Sequence, residues 1–313
     1  MERLDGGATA PAALGGGIVP LGNYDGFHLG HQAVAGAAFA RAKAEGRPAL
    51  IATFHPHPVR HFAPEAPPFQ LTSVQQRLDL FERAGADAAV VYAFDTPFAG
   101  VTAEEFVRDW LVGRLGIAGV VTGSDFTFGK GRRGNADLLA RMGAELGFSA
   151  ETIAPVSADG VTVSSSGIRQ ALADGDPEGA ARMLTRPFAI AGIVQHGDKL
   201  GRTIGYPTAN MDIDDYQRPA FGIYAVRGRL DDGRVLAGVA NLGVRPMFDP
   251  PRLLLEPHFF DFKGDLYGRR IEVELISYLR PEMKFDGLEP LVEQMDRDSE
   301  EARRRLAAPA VAR

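Results

Sequence analysis

Two histidines spaced three apart in a glycine-rich turn are the first residues in this chain that invite a chemical reading. The run Gly22-Asn23-Tyr24-Asp25-Gly26-Phe27-His28-Leu29-Gly30-His31 follows a short apolar stretch, Ile18-Val19-Pro20-Leu21, and precedes an alanine-rich segment of helical character. In an open α/β sheet such a turn sits at the carboxyl end of a strand, where ligands bind. Its glycines let backbone approach a ligand closely, and the helix amino terminus behind them favours an anionic phosphate. At this spacing both His28 and His31 can face one bound group. Capping the helix and bonding solvent is the plainer use of two histidines. With Gly22, Gly26, Gly30 and Asp25 in the same turn, phosphate binding is the stronger reading.

Comparable features recur further on. His55-Pro56-His57-Pro58 follows the apolar run 49–54, and the loop 123–134, with Asp125, Lys130, Arg132 and Arg133, follows the run 117–122. Ser164-Ser165-Ser166, with Arg169 close behind, opens another helix. If these stretches occupy one edge of one sheet they can converge on a polyphosphate. The loop 123–134 is not a Walker loop: its glycines are one residue too far apart, and Gly131 stands where Ser or Thr is needed. No nucleophile–base pair presents itself for a covalent intermediate. That leaves in-line attack by a substrate oxygen on a nucleotide phosphorus, with the protein supplying position and positive charge. His55, His57 and His61 have no acidic or cysteine partner nearby in sequence, so a structural or substrate-facing role is preferred over a zinc site. The serines alone are weak evidence, since any such cluster caps a helix.

The second half has its own dense stretch. Residues 196–210 carry Gly197, Lys199, Gly201, Arg202 and Gly205, followed by Thr208 and Asn210 two residues apart. On an extended segment Thr208 and Asn210 point to the same side and can share one hard cation such as Mg²⁺, the rest of whose shell is water and phosphate. Glu256 lies in an apolar run, Leu253-Leu254-Leu255, with Phe259 and Phe260 after it. Its carboxylate is either a general base beside a dry pocket or an exposed group on a strand's outer face.

The elements that must position these residues follow from periodicity. Helical patterns at 31–45, 73–85, 102–115 and 135–146 alternate with apolar runs at 49–54, 88–92, 117–122 and 151–155, the signature of a parallel sheet with crossover helices. Helix starts are marked by Thr102 with Glu105, by Asn135, and by Asp176-Pro177. Beyond Pro187, runs at 190–195, 222–230, 235–242, 253–262 and 271–278 predict a small antiparallel barrel, closed by a helix over 288–306. The domains are therefore expected at 17–186 and 187–306, with loose tails at 1–16 and 307–313. A chain of 313 residues suits two domains, and an apolar fraction of 45% lets each bury a core. A net charge of −6 argues against nucleic acid as a partner. The absence of cysteine, of a signal-type leader and of a membrane-length apolar run predicts a soluble, cytoplasmic protein.

Taken in order, these motifs resemble the prokaryotic bifunctional riboflavin kinase/FMN adenylyltransferase family, also called FAD synthetase. The resemblance covers nearly everything from about Gly17 to Arg303, with further matching motifs at 241–248 and 255–268. It implies a nucleotidyltransferase-type α/β domain followed by a riboflavin kinase barrel. By resemblance, Thr208 and Asn210 hold Mg²⁺, Glu256 takes the proton of the ribityl hydroxyl of riboflavin, and the loop from Gly197 to Gly205 covers the phosphates of ATP. The first domain then joins AMP to FMN. There His28 and His31 bind the ATP phosphates, Ser164, Ser165 and Arg169 grip the pyrophosphate, and Asp125 with its neighbours lines the nucleotide or flavin site. A single-activity adenylyltransferase with a non-catalytic, flavin-binding barrel is the alternative. Oligomeric state is open. Pro257 directly follows the proposed base, where it removes one backbone donor and biases Glu256 towards extended geometry.

Overall fold

The computed structural model describes residues 1–158, 160–196, 205–213, 215–245 and 252–308. The chain divides into two units: Met1–Pro67 with Val74–Ser164, and Pro68–Ser73 with the residues from Ser165 onward.

In the first unit the strands are β1 (Glu2–Asp5), β2 (Ile18–Pro20), β3 (Leu50–His55), β4 (Ala88–Ala93), β5 (Gly119–Gly123) and β6 (Ser149–Ile153). Parallel ladders run β1-β4-β3 and β2-β5-β6. Parallel bridges Ile18↔Ala49 and Leu21↔Ala52 join the two sets, giving the order β1-β4-β3-β2-β5-β6. Strand order thus reverses about β2, which makes the carboxyl end of β2 the topological switch point. Adjacent residues supply opposite faces. Val19, Leu50, Val90 and Val120 enter a core with Phe106, Leu111 and Leu139, while Ile18, Ile51, Val91 and Val121 pack towards α1 (Leu29–Glu45) and α2 (Val74–Ala84). Burial on both faces explains why these strands read as unbroken apolar runs. On the first face lie the helical segment 103–114 and α3 (Ala136–Leu146). Thr102 forms the expected capping box with Glu105, and the Asn135 side chain accepts the Leu138 N–H at 2.9 Å.

Residues 1–16 are not the loose tail that their composition suggests. Glu2–Asp5 forms β1 beside β4, Leu4 is buried, and the α-amino group of Met1 meets Glu82 at 2.7 Å. A further departure is a small hairpin, β7 (Ser157–Ala158) with β8 (Val161–Thr162), that no periodicity marks.

The second unit holds α4 (Ser165–Ala173), α5 (Pro177–Leu184) and strands β9 (Phe188–Ile193), β10 (Met211–Asp212), β11 (Gly222–Leu230), β12 (Val235–Arg245), β13 (Arg252–Phe259) and β14 (Arg270–Arg280), then α6 (Leu288–Ala307). The antiparallel order is β10-β13-β12-β11-β14-β9, and the bridge Gln195↔Asn210 brings the two ends together into a nearly closed barrel. Its core takes Phe188, Met211, Val226, Leu242, Leu255 and Val273 from alternate strand positions. The division lies earlier than the expected 186/187 boundary. Ile168 and Leu172 of α4 and Ala180 and Leu184 of α5 are buried in this core. Leu71 is buried there too, and Gln217 N–H donates to the Gln70 carbonyl at 2.7 Å. α6 runs through Ala307, so the expected tail 307–313 starts inside a helix; residues 309–313 lie outside the described residues.

Because β1 buries Leu4 in the first core, deleting residues 1–5 is expected to destabilise that unit by about 2–3 kcal/mol. A urea titration followed by fluorescence of Trp110, the single tryptophan, measures this. An unchanged midpoint would show that β1 contributes nothing.

Candidate active sites

The turn after β2 is built from backbone that most residues avoid. Tyr24 (φ 53°), Gly26 (φ 87°) and Phe27 (φ 41°) all lie in the left-handed region. The packing that holds them there is aromatic: Tyr24 meets Phe27, His31 and Phe81 edge-on at 5.2–6.1 Å between ring centres. Burial pushes the Tyr24 phenol well up, and among the described residues its hydroxyl has no partner, so the turn uses the ring. Asp25 and His28 are buried as well. His28 is the N-cap of α1, its Nδ1 accepting the His31 backbone N–H at 3.4 Å, and the two imidazoles stack 3.7 Å apart. The plain capping reading is therefore realised for His28, and it serves the other. With Nδ1 acting as an acceptor, the neutral ring carries its proton on Nε2. A Cβ on Gly30 would lie 3.2 Å from His28 Cε1, so a side chain there would press on the ring folded over the first turn. The same Cβ would lie 3.8 Å from the Val163 carbonyl, which brings the residue before Ser164 to this helix end.

Within the first unit the expected convergence is present. The histidine turn follows β2, His55-Pro56-His57 follows β3, and the 123–134 loop follows β5, all at carboxyl ends of parallel strands. Asp125 is exposed, its Oδ1 lying over Gly123. His57 caps the short helix Pro58–Phe62, its Nδ1 accepting Val59 N–H at 3.2 Å, while His61 packs edge-on against Phe62 and Phe94. Ser165 and Arg169 belong to the second unit. Arg169 Nε donates to the Phe69 carbonyl at 2.8 Å, and its guanidinium lies 5.4 Å over the Phe69 ring.

The second constellation lies on the outer face of the barrel. Burial alternates along 208–213: Ala209, Met211 and Ile213 are buried, while Thr208, Asn210 and Asp212 are half-buried. Thr208 and Asn210 thus share a side, as the spacing predicts. β10 pairs with β13 as Met211↔Leu255, and the Ala209 N–H bond to the Pro257 carbonyl at 2.9 Å carries that register on. Asn210 then stands opposite Glu256, and Glu256 stands opposite Asn241 on β12. Directly opposed residues project from the same face, so Asn210, Glu256 and Asn241 form one row across three strands. Glu256 is half-buried there, neither in a closed pocket nor fully exposed. Pro257 does not interrupt this arrangement. Its backbone faces β10, at the level where β10 has ended, so the missing N–H costs no ladder bond to β12.

Asn241 is the residue that sequence reasoning passed over. Its Oδ1 is buried and, among the described residues, has no hydrogen-bond partner. An orphaned acceptor in the same row fits a hard cation, and the oxygen donors Thr208, Asn210 and Asn241 suit Mg²⁺, with the Glu256 carboxylate beside them. Among the described residues no group of three or more His, Cys, Asp or Glu is gathered for a metal, so such a site would rest on neutral oxygens and one carboxylate. The sequence signals for Asn241 are its place at the head of the 241–248 motif and its alternation with Ala240 and Leu242. The row is flanked by Tyr206, whose ring lies 4.9 Å from His258 and whose hydroxyl donates to Asp296 on α6. Burial, then the Asp296 bond, raise the Tyr206 phenol. Gly205 is exposed with φ 84°. Gly197, Lys199, Gly201 and Arg202 lie outside the described residues.

Comparison with known proteins matches a separate family model to each half of the chain. The family model described as FAD synthetase matches residues 10–167, and that described as riboflavin kinase matches residues 184–306. A relative from Escherichia coli (strain K12), named bifunctional riboflavin kinase/FMN adenylyltransferase, is 39% identical over 288 residues, 92% of each chain. One of the same name from Pseudomonas fluorescens is 40% identical over 299 residues, 95% of each chain. The chain belongs to the bifunctional riboflavin kinase/FMN adenylyltransferase family. A solved structure described as a macrolide-efflux protein from Streptococcus pneumoniae shares the fold of this family member, with a TM-score of 0.86 and 29% identity over 97% of this chain and 99% of that one. No helix among the described residues is long and apolar enough to cross a membrane.

A buried acceptor without a partner costs about 1–3 kcal/mol. Asn241→Leu is therefore expected to leave the unliganded barrel at least as stable, while abolishing the stabilisation conferred by Mg²⁺ with an adenine nucleotide. Thermal unfolding with and without those additions checks both halves.

Proposed function

We propose that the two activities of this enzyme are divided between its two units, adenylyl transfer at the histidine turn and phosphoryl transfer at the Glu256 row. The chain phosphorylates riboflavin with ATP to give FMN and adenylylates FMN with a second ATP to give FAD and pyrophosphate. The observation that carries the division is that the Asn210–Glu256–Asn241 row and the stacked histidines lie in different units.

In the barrel, the ribityl hydroxyl of riboflavin attacks the γ-phosphorus of ATP and ADP leaves. Glu256 accepts the hydroxyl proton, and a carboxylate suits that task because it is basic at neutral pH and half-withdrawn from water. Thr208 and Asn210, with Asn241 beside them, would hold Mg²⁺, which when bound neutralises phosphate charge. Gly197, Lys199, Gly201, Arg202 and Gly205 would cover the phosphates. In the first unit, an FMN phosphate oxygen attacks the α-phosphorus of ATP, and the bond to pyrophosphate breaks. No covalent intermediate is needed, so the protein's contribution is position and charge. His28 donates from Nε2 to a phosphate oxygen, and His31, stacked on it, supports charge building at the α-phosphorus. The backbone of Gly22, Asn23, Asp25, Gly26 and Gly30 shapes the phosphate cradle at the α1 amino terminus. Ser164 is assigned to the pyrophosphate and Asp125 to the nucleotide or flavin rim; Ser165 and Arg169, expected from the resemblance to share the pyrophosphate, belong to the second unit. A cytoplasmic setting accompanies this reading, supported by the cysteine-free sequence. A barrel that only binds flavin is disfavoured, because Glu256 keeps Thr208, Asn210 and Asn241 about it.

Incubation with riboflavin, ATP and Mg²⁺, followed by chromatography over time, is expected to give FMN and then FAD. FMN alone, or no product, overturns the pairing. Glu256→Gln is expected to slow FMN formation by roughly 100-fold or more, the usual worth of a general base, while FAD formation from supplied FMN stays within about twofold. The double variant His28→Ala/His31→Ala is expected to reverse the pattern, with FAD formation down about 100–1000-fold and FMN formation intact. Equal loss of both steps in either variant contradicts the division.

A further inference from the structure

We propose that Arg77 is a positioning residue for adenylyl transfer, its guanidinium tying the histidine turn to the carboxyl end of β3. This rests on the reading that the turn is the adenylyl-transfer site. Arg77 lies on α2, the helix whose Leu78 and Phe81 fill the core beneath the turn, and it is itself only 2% exposed. One of its terminal nitrogens donates to the Asn23 carbonyl at 2.8 Å, to Thr53 Oγ1 at 2.9 Å and to the Phe54 carbonyl at 3.3 Å. Thr53, fully buried on β3, donates its hydroxyl to the same Asn23 carbonyl at 2.8 Å. The carbonyl at the head of the turn is thus held by two donors, one of them charged.

The placement is specific. The hydrogen-bond partners of Arg77 lie in the turn or at the end of β3, the exit next to the switch point at β2. Immediately after Asn23 come Tyr24, Gly26 and Phe27 with positive φ, a path that persists only where its surroundings over-determine it. A charge in an apolar core is costly, and packing alone would be served better by an uncharged side chain. Burial lowers the guanidinium's hold on its proton, and the carboxylate of Asp25, itself buried in the turn, opposes that and keeps it charged. The hydrogen bonds to Asn23, Thr53 and Phe54 therefore tie the head of the turn to the helix below and to the end of β3. A small displacement of a group that must be oriented costs rate more than binding.

The test uses the full-length enzyme, with riboflavin phosphorylation as an internal control. Arg77→Met is expected to lower kcat for FAD formation about 100-fold with KM for ATP and FMN changed less than about threefold; Arg77→Lys, which restores charge and a donor, recovers about tenfold of that loss. Thr53→Val is expected to lower the same kcat about tenfold, with the thermal midpoint and FMN formation unchanged. If Arg77→Met does not accumulate as folded protein, Thr53→Val and Arg77→Lys decide. Wild-type kcat in those two variants overturns the proposal, as does a loss that Lys fails to relieve or one shared equally by FMN formation. The variant His28→Ala/His31→Ala is assayed alongside. If it still makes FAD at the normal rate the site reading itself fails; if it is inactive while the Arg77 and Thr53 variants are normal, only the positioning role falls.

Discussion

Parallel strand pairing sends every strand of a sheet out at the same edge, and the chemistry of the first unit depends on that constraint. β2, β3 and β5 run side by side, so the segments leaving them, each rich in His, Gly or basic residues, emerge together. β2 holds the switch position because the crossovers through α1 and α2 move in one direction and those through 103–114 and α3 in the other. The turn after β2 is therefore the one place where neighbouring connections splay apart and leave room for a ligand. Its left-handed backbone is held by aromatic packing below and by hydrogen bonds from β3 and α2, which is why a strained segment can present two stacked imidazoles at a fixed height.

Antiparallel pairing solves a different problem in the second unit. There the useful property is register. Once Met211 faces Leu255 and Leu242 faces Leu255 from the other side, Asn210, Glu256 and Asn241 have no choice but to line up on the opposite face. The buried leucines that make the barrel core thus also align the oxygens outside it, and a slip of one residue would send Glu256 inward and the row would vanish. Pro257 is tolerated in this central strand because its backbone faces the β10 side, so the ladder to β12 loses no bond.

Buried polar groups are met differently at the two sites, although Arg77 Nε is itself buried without a partner among the described residues. The guanidinium of Arg77 is given carbonyl, hydroxyl and carboxylate neighbours and is spent on holding a backbone in place. Asn241 Oδ1 is buried with no partner among the described residues, a cost that a folded chain retains where a ligand group is to be met. The first pattern belongs to a positioning group and the second to a binding group.

Much of this was legible in the residues alone. The alternation of helix and strand patterns, the caps at Thr102, Asn135 and Asp176, the histidine turn at a strand's end and the shared side of Thr208 and Asn210 all follow from local periodicity and spacing, and local rules suffice for them. Other features depend on partners far away in the chain. Residues 2–5 look like a tail until β4 offers them an edge, and α4 and α5 follow the first domain's motifs in sequence yet bury Ile168 and Leu184 in the barrel core. Asn241 is one polar residue in an apolar run until register sets it against Glu256, and Arg77 is an ordinary helix cation until burial beneath the turn sets it against Asn23, Thr53 and Phe54. The sequence by itself determined which segments could do chemistry, because residue type and spacing are local. Tertiary structure alone decided which distant groups hold them in place, because register and burial are properties of paired elements and no single segment contains them.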